Sequence, residues 1–281
     1  MSWNRGEADA LDAKTVPTRL SCALACVLSF LGLALVATRA QARELRIATG
    51  EFPPFATAAR SDQGVALAIV RRAFELGGHS VQYTFLPWSR AQVETEAGLW
   101  DASAHWGASR ERRERFLVSD NLLSEDWVLL HRADTRLTWQ GVEDLAPYRI
   151  GITRDYTYTP EFWTAVHSRQ LARVDYVIND LAGLRVLLAR RIDVLPLERN
   201  VACDLLMANF TAAQAAEVRA HPKPLNDQFT THVLFPRGKP ASPSLLADFN
   251  RGLKQLRASK EYAQLLQSVN CPGTLKASVP L

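Results

Sequence analysis

The sequence predicts an α/β protein built on mainly parallel sheets with helical crossovers. An order of strand, loop, helix, strand, loop, helix, strand runs from Leu45 to about residue 107, and the same order is used again after Leu145. The strand-like runs are short and apolar. The stretches between them carry apolar residues at helical spacing, as connections between parallel strands require. Length agrees: without an N-terminal export segment, 239 residues remain, which suits one large or two medium domains.

Each element has a local reason. Leu45 to Thr49 alternates as a strand and gives way to Gly50-Glu51-Phe52-Pro53-Pro54-Phe55, a turn stiffened by two prolines. Val65, Ile69, Ala73 and Leu76 mark one face of a helix over 64–77. Val81 to Phe85 is a second strand, Pro87-Trp88-Ser89-Arg90 reads as a loop, and 90–98 as a helix ending at Gly98. An apolar run from Asp101 leads to a Gly107-Ala108-Ser109 break, where Ser109 is a suitable N-cap for a short helix. Val128 to His131 is a strand. The second unit holds strands at 148–152, 174–177 and 192–195, the last running into Pro196-Leu197-Glu198. Its helices are expected at 160–170 and, with Asp180 as N-cap, at 180–189. Thr231 to Phe235 is a strand, and helices at 243–257 and 259–268 follow. Ligands of open parallel sheets sit beyond the carboxyl ends of the strands. That places Phe52, Trp88, His105 and Trp106 on one rim.

Residues 20–37 are an apolar run preceded by Arg19 and followed by Ala40-Gln41-Ala42, small residues at the positions a signal peptidase reads. A cleavable secretory signal over 1–42 is expected, with an uncleaved anchor as the alternative. The remainder carries 29 basic and 26 acidic residues, a balance that gives no reason to expect nucleic acid. Cys203 and Cys271 remain after the leader. An export route permits a disulfide between them, and buried thiols are the alternative. No His or Cys stands at metal-ligand spacing, and no phosphate loop or Ser-His-Asp order is legible, so neither metal nor cofactor is expected.

Asp101 to Leu122 is the most informative stretch. Arg112 stands at the third position of the short helix, where a guanidinium can hold a carboxylate with two parallel hydrogen bonds. A solvated basic face is the plainer reading, since Arg110, Arg113 and Arg115 are close by. Ser109-Arg110-Glu111-Arg112, followed by Val118-Ser119-Asp120, resembles the Thr-x-Glu-Arg…Phe-Ser-x-Pro-Tyr segment of family 3 extracellular solute-binding proteins, receptors of polar amino-acid ABC transporters. Asn121-Leu122 stands where Pro-Tyr is usual. The resemblance implies a two-lobed type II periplasmic-binding-protein-like fold, each lobe a mainly parallel sheet flanked by helices. The lobes would be 43–131 with 231–281 and 132–230, joined by strands near 131–135 and 226–232. It implies that Arg112, or its neighbour Arg113, grips a ligand carboxylate. Phe52-Pro53-Pro54-Phe55 resembles a Tyr-x-Pro-Phe turn whose first aromatic packs on the ligand, and Trp88 falls where a second ring stacks. His105 and Trp106 stand at pocket positions that are small in the family. Gly151-Ile152-Thr153-Arg154-Asp155-Tyr156-Thr157 resembles a Gly-Val-x-x-Gly-Thr loop that completes the carboxylate clamp, with Asp155 and Tyr156 as departures. Arg191-Ile192-Asp193 with Glu198 resembles a segment whose last acid pairs with the ligand ammonium; Asp193 itself reads as structural, and Arg90 as a surface or interlobe pairing residue.

The expected function is capture of a small zwitterionic solute in the periplasm for an inner-membrane ABC permease, by a monomer without chemistry of its own. Two alternatives remain at this level. One is a dehydratase-like enzyme on the same fold, with His105 and Glu198 as acid and base. The other is a sensor that signals to a membrane partner.

Overall fold

The computed structural model describes residues 43–154, 156–267 and 275. The expected signal segment, Asp155 and Cys271 lie outside the described residues. Ten strands join in one curled sheet, along which the strands at 80–85, 44–49, 102–107, 226–236, 124–132, 194–198, 150–153 and 174–177 follow one another in that order.

The first half starts with β1 (Glu44–Thr49), which pairs in parallel with β2 (Ser80–Phe85) and β3 (Ala102–Gly107). The crossovers are α1 (Val65–Gly77) and α2 (Trp88–Glu96). β3 is buried along its whole length, as a central strand covered on both faces must be. α3 (Arg110–Arg115) opens on Ser109, whose hydroxyl accepts the Arg112 N–H at 3.1 Å, and runs into β4 (Phe116–Val118). The second half holds β5 (Ser124–Arg132), β6 (Ile150–Thr153), β7 (Val174–Val177) and β8 (Val194–Glu198), with α4 (Pro160–His167) and α5 (Asp180–Leu188) as crossovers. β6 runs parallel to both β7 and β8. α6 (Arg199–Asn209), α7 (Ala212–Ala216) and β9 (Val218–Ala220) lead to β10 (Asn226–Pro236). α8 (Ser242–Arg257) and α9 (Lys260–Gln267) follow, and α8 packs on α1 through Phe74 and Phe249, whose ring centroids are 4.7 Å apart.

β10 joins the halves. It pairs antiparallel with β5 at Asn226, Phe229 and Thr230, then with β3 from Thr231 and with β4 at Leu234–Pro236. β5 pairs along its length with β8, β9 and the start of β10, so the first crossing precedes Ser124, earlier than the polar 131–135 stretch suggests. The parallel part of each half is three strands, and the joining strands are antiparallel.

Four local expectations are corrected. Trp88 opens α2 rather than lying in a loop, because Pro87 has φ −54 and leads the chain directly into the helix. The N-cap of α5 is Asn179, which accepts the Ala182 N–H at 2.9 Å; Asp180 turns inward instead. Helix α4 stops at His167. α6 and α7, which sequence patterning leaves out, follow β8 directly.

Candidate functional site

One small cavity lies where the carboxyl ends of the strands from both halves face each other. Phe52 reaches it from the turn after β1, Trp88 from the start of α2, and His105, Trp106 and Gly107 from the end of β3. Arg112 enters from α3, Glu125 and Trp127 from β5, Tyr156 and Thr157 from the loop after β6, and Phe229 and Thr231 from β10. A wider cleft, lined by all of α3 together with Pro160 and Trp163, shares Trp106, Arg112, Tyr156 and Thr157 with it.

Arg112 is buried while Arg113 is exposed, so of the two neighbours it is Arg112 that lines the cavity. Its Nε donates to Gln92 Oε1 at 3.0 Å and its Nη1 to the Gly107 carbonyl at 3.0 Å and to Thr157 Oγ1. The guanidinium carbon lies 4.7 Å from the centroid of a Trp106 ring, within cation–π reach. Trp106 is fixed in turn, since its Nε1 donates to Ser103 Oγ at 2.7 Å and Trp88 meets it edge-on at 5.0 Å. The positive end of the cavity is therefore oriented before any ligand arrives.

The opposite end is acidic. Glu125 is 3% exposed and accepts the Trp127 Nε1–H at 2.8 Å. His105 Nε2 lies 2.8 Å from Glu125 Oε1. Aromatic rings close the space around them. Phe52 stacks on Trp127 at 6.2 Å and meets Tyr156 edge-on at 5.8 Å, and Trp127 tilts against Phe229 at 5.3 Å. Tyr156 is held by its hydroxyl, which donates to Asp180 Oδ2 at 2.6 Å, while Thr153 Oγ1 donates to the other oxygen at 3.1 Å. Burial of Asp180 raises its pKa to about 6.

Glu198 stands elsewhere than the resemblance implies. It does not line the cavity; its carboxylate is fully buried and caps α6, accepting the Val201 N–H at 2.8 Å and the Asn200 amide at 2.9 Å. Its cross-strand partner is Trp127, which does line the cavity. Burial, and then the negative charge of Glu125, raise the Glu198 pKa to about 8, so this acid holds its proton at neutral pH. Asp193 takes three hydrogen bonds from Arg149, and exposed Arg90 pairs with Glu94; both are structural, as read.

Glu125, Trp127, Thr157, Phe229 and Thr231 escape sequence reasoning. One signal was present: in Glu125-Asp126-Trp127 an acid falls on the same strand face as Trp127 and Leu129, where alternation calls for an apolar residue. Among the described residues, no three His, Cys, Asp or Glu side chains gather as a metal ion would need. Cys203 is disulfide-bonded, with a partner outside the described residues.

A family model for bacterial extracellular solute-binding proteins, family 3, matches residues 45–269. No curated protein sequence gives a significant match. Solved structures similar to this chain include a histidine kinase sensor domain with similarity to periplasmic binding proteins (TM-score 0.68, 18% identity, covering 85% of this chain and 100% of that one). A substrate-binding protein of an amino-acid ABC transporter matches with TM-score 0.64 and 18% identity over 80% of this chain and 98% of the other. A Salmonella typhimurium periplasmic binding protein of high arginine specificity matches with TM-score 0.64 and 16% identity over 81% and 99%.

Proposed function

Because the chain belongs to the bacterial extracellular solute-binding proteins, family 3, and has the type II fold of periplasmic binding proteins, we propose that it captures a small zwitterionic solute in the periplasm and delivers it, as a monomer, to an inner-membrane ABC permease. The observation that carries this is the pairing of Arg112 and Glu125 as opposite charges in one small, aromatic-walled cavity. Arg112 takes the carboxylate, with Tyr156 and Thr157 of the loop after β6 beside it. Phe52 and Trp88 cover the body of the solute. The ammonium goes to the acidic end, where Glu125 stands in the wall.

Two lobes meet in this reading at the crossings before Ser124 and at Thr230–Thr231, which puts β5 in the second lobe rather than in 43–131, and rotate about them as the solute enters. The contact of Arg112 with Thr157, which brings the two sheet halves together over the cavity, supports a closing motion. The likeness to a substrate-binding protein of an amino-acid ABC transporter supports the transport role.

Isothermal titration of the protein with the L-amino acids, with carboxylates lacking the amine and with amines lacking the carboxylate tests the reading. Heat of binding from amino acids and none from either half-molecule series is expected. Equal binding of an amine without a carboxylate would contradict it.

A further inference from the structure

Two polar atoms in the cavity wall lack a hydrogen bond in the structure. His105 Nε2 and Glu125 Oε1 lie 2.8 Å apart on side chains only 2% and 1% exposed. Neither atom has a hydrogen bond of acceptable direction. The second Glu125 oxygen is already occupied by the Trp127 indole. A pair kept for stability alone would be aligned, because buried polar atoms are almost always satisfied. His105 moreover sits at φ +70, a left-handed conformation that non-glycine residues seldom adopt and that gathers at functional sites. Strain and unsatisfied polarity thus meet in two side chains of the wall that Arg112 also lines.

A ligand group that donates two N–H bonds would complete both atoms, one to the Glu125 oxygen and one to the His105 ring nitrogen. Around that point the walls are Phe52, Trp127, Tyr156 and Phe229. These aromatic rings offer a solute body apolar contacts, and a charged group buried against them would lose its hydration. We propose that Glu125 and His105 form the subsite for the ammonium of the bound solute, and that the solute is an N–H-bearing amino acid with an uncharged, apolar body. This rests on the reading of the cavity as a zwitterion site, and narrows it away from the basic solutes that relatives of the fold take.

The test uses intrinsic tryptophan fluorescence, since Trp88, Trp106 and Trp127 border the cavity. The probes are L-leucine and L-phenylalanine, their N,N,N-trimethyl derivatives, L-arginine and L-glutamate, applied to the wild type, Glu125→Gln, His105→Asn and Arg112→Ala. Asn tolerates the left-handed backbone, so the second variant removes the ring without adding strain. Leucine or phenylalanine is expected to bind at least about tenfold tighter than arginine or glutamate, since a methylene-sized or charge mismatch in a buried pocket is worth that much or more. Trimethylation and Glu125→Gln are each expected to weaken binding about thirtyfold or more, the loss of one partner of a buried charge pair. His105→Asn should weaken it in the same direction. Without ligand, Glu125→Gln should unfold at the wild-type temperature or above, since it removes an unsatisfied buried charge.

Tightest binding of arginine or glutamate, unchanged affinity in Glu125→Gln, or a lower unfolding temperature of that variant without ligand would each overturn the subsite. If Glu125→Gln binds as the wild type does while Arg112→Ala does not bind, the subsite fails and the zwitterion reading stands. If no probe binds the wild type, the zwitterion reading fails and takes the subsite with it.

Discussion

Arg112 shows how a charged side chain is made specific by what holds it. Ser109 caps its helix, Gln92 and the Gly107 carbonyl take its donors, and Trp106 lies under its guanidinium. A lysine at this place keeps the charge and loses the planar fork and the stacking. Arg112→Lys is therefore expected to weaken solute binding by about 2 kcal/mol or more, roughly thirtyfold, with an unchanged far-ultraviolet circular dichroism spectrum. Glu198 gives the second prediction at this scale. Its folded pKa of about 8 lies above the ordinary glutamate value of 4.5, so the folded state holds a proton that the unfolded chain releases. Stability is then greatest below about pH 4.5 as far as this group is concerned. It falls as pH rises towards 8, by at most about 1.4 kcal/mol per pH unit. Glu198→Gln should flatten the decline of the unfolding midpoint between pH 5 and 8. An unaltered slope would assign the decline to other groups. The rim residues Phe52, Trp88, His105 and Trp106 were legible because short motifs place them beyond strand ends. Glu125 was not, because its facing of His105 depends on β5 and β3 meeting through β10, a non-local pairing that no local pattern announces.

At the scale of elements, close backbone approach decides what can change. α1 and α8 cross where a Cβ on Gly252 would stand 1.9 Å from the Ala73 carbonyl oxygen, a backbone atom that cannot step aside. Gly252→Ala should lower stability by about 1–3 kcal/mol through overpacking, read as a reduced denaturant midpoint. Gly107 is different in kind: a Cβ there would lie 2.4 Å from Phe229 Cζ and 3.0 Å from Thr157 Cβ, groups on the facing wall. Gly107→Ala is expected to weaken binding about tenfold or more by holding the walls apart, while the ligand-free protein keeps most of its stability. Equal losses in both would mean that the contact serves only the fold. The helices with a clear apolar stripe, α1 and α8, could be read from the sequence to within a residue or two. α6 could not, because its N-cap is a glutamate, outside the usual capping set, and is also the last residue of a strand.

At the scale of the molecule, the duplicated order of strands and helices predicted two parallel units. It did not predict that the joining strands run antiparallel, or that the first crossing precedes Ser124. Those features decide which ends face each other, and so bring a guanidinium from α3 and a carboxylate from β5 into one cavity. In the proposed function this cavity binds a zwitterion through Arg112. Thermal unfolding of the wild type and of Arg112→Ala, each with and without L-leucine and L-phenylalanine, tests it most directly. At about one hundred times the dissociation constant a ligand adds about 2.7 kcal/mol of stability, or roughly 5–10 °C in a protein of this size. The wild type is predicted to rise by that amount with at least one of the two amino acids, and Arg112→Ala to stay at its ligand-free midpoint. An equal rise in both proteins, or none in the wild type with these two or with L-arginine and L-glutamate, would contradict the claim.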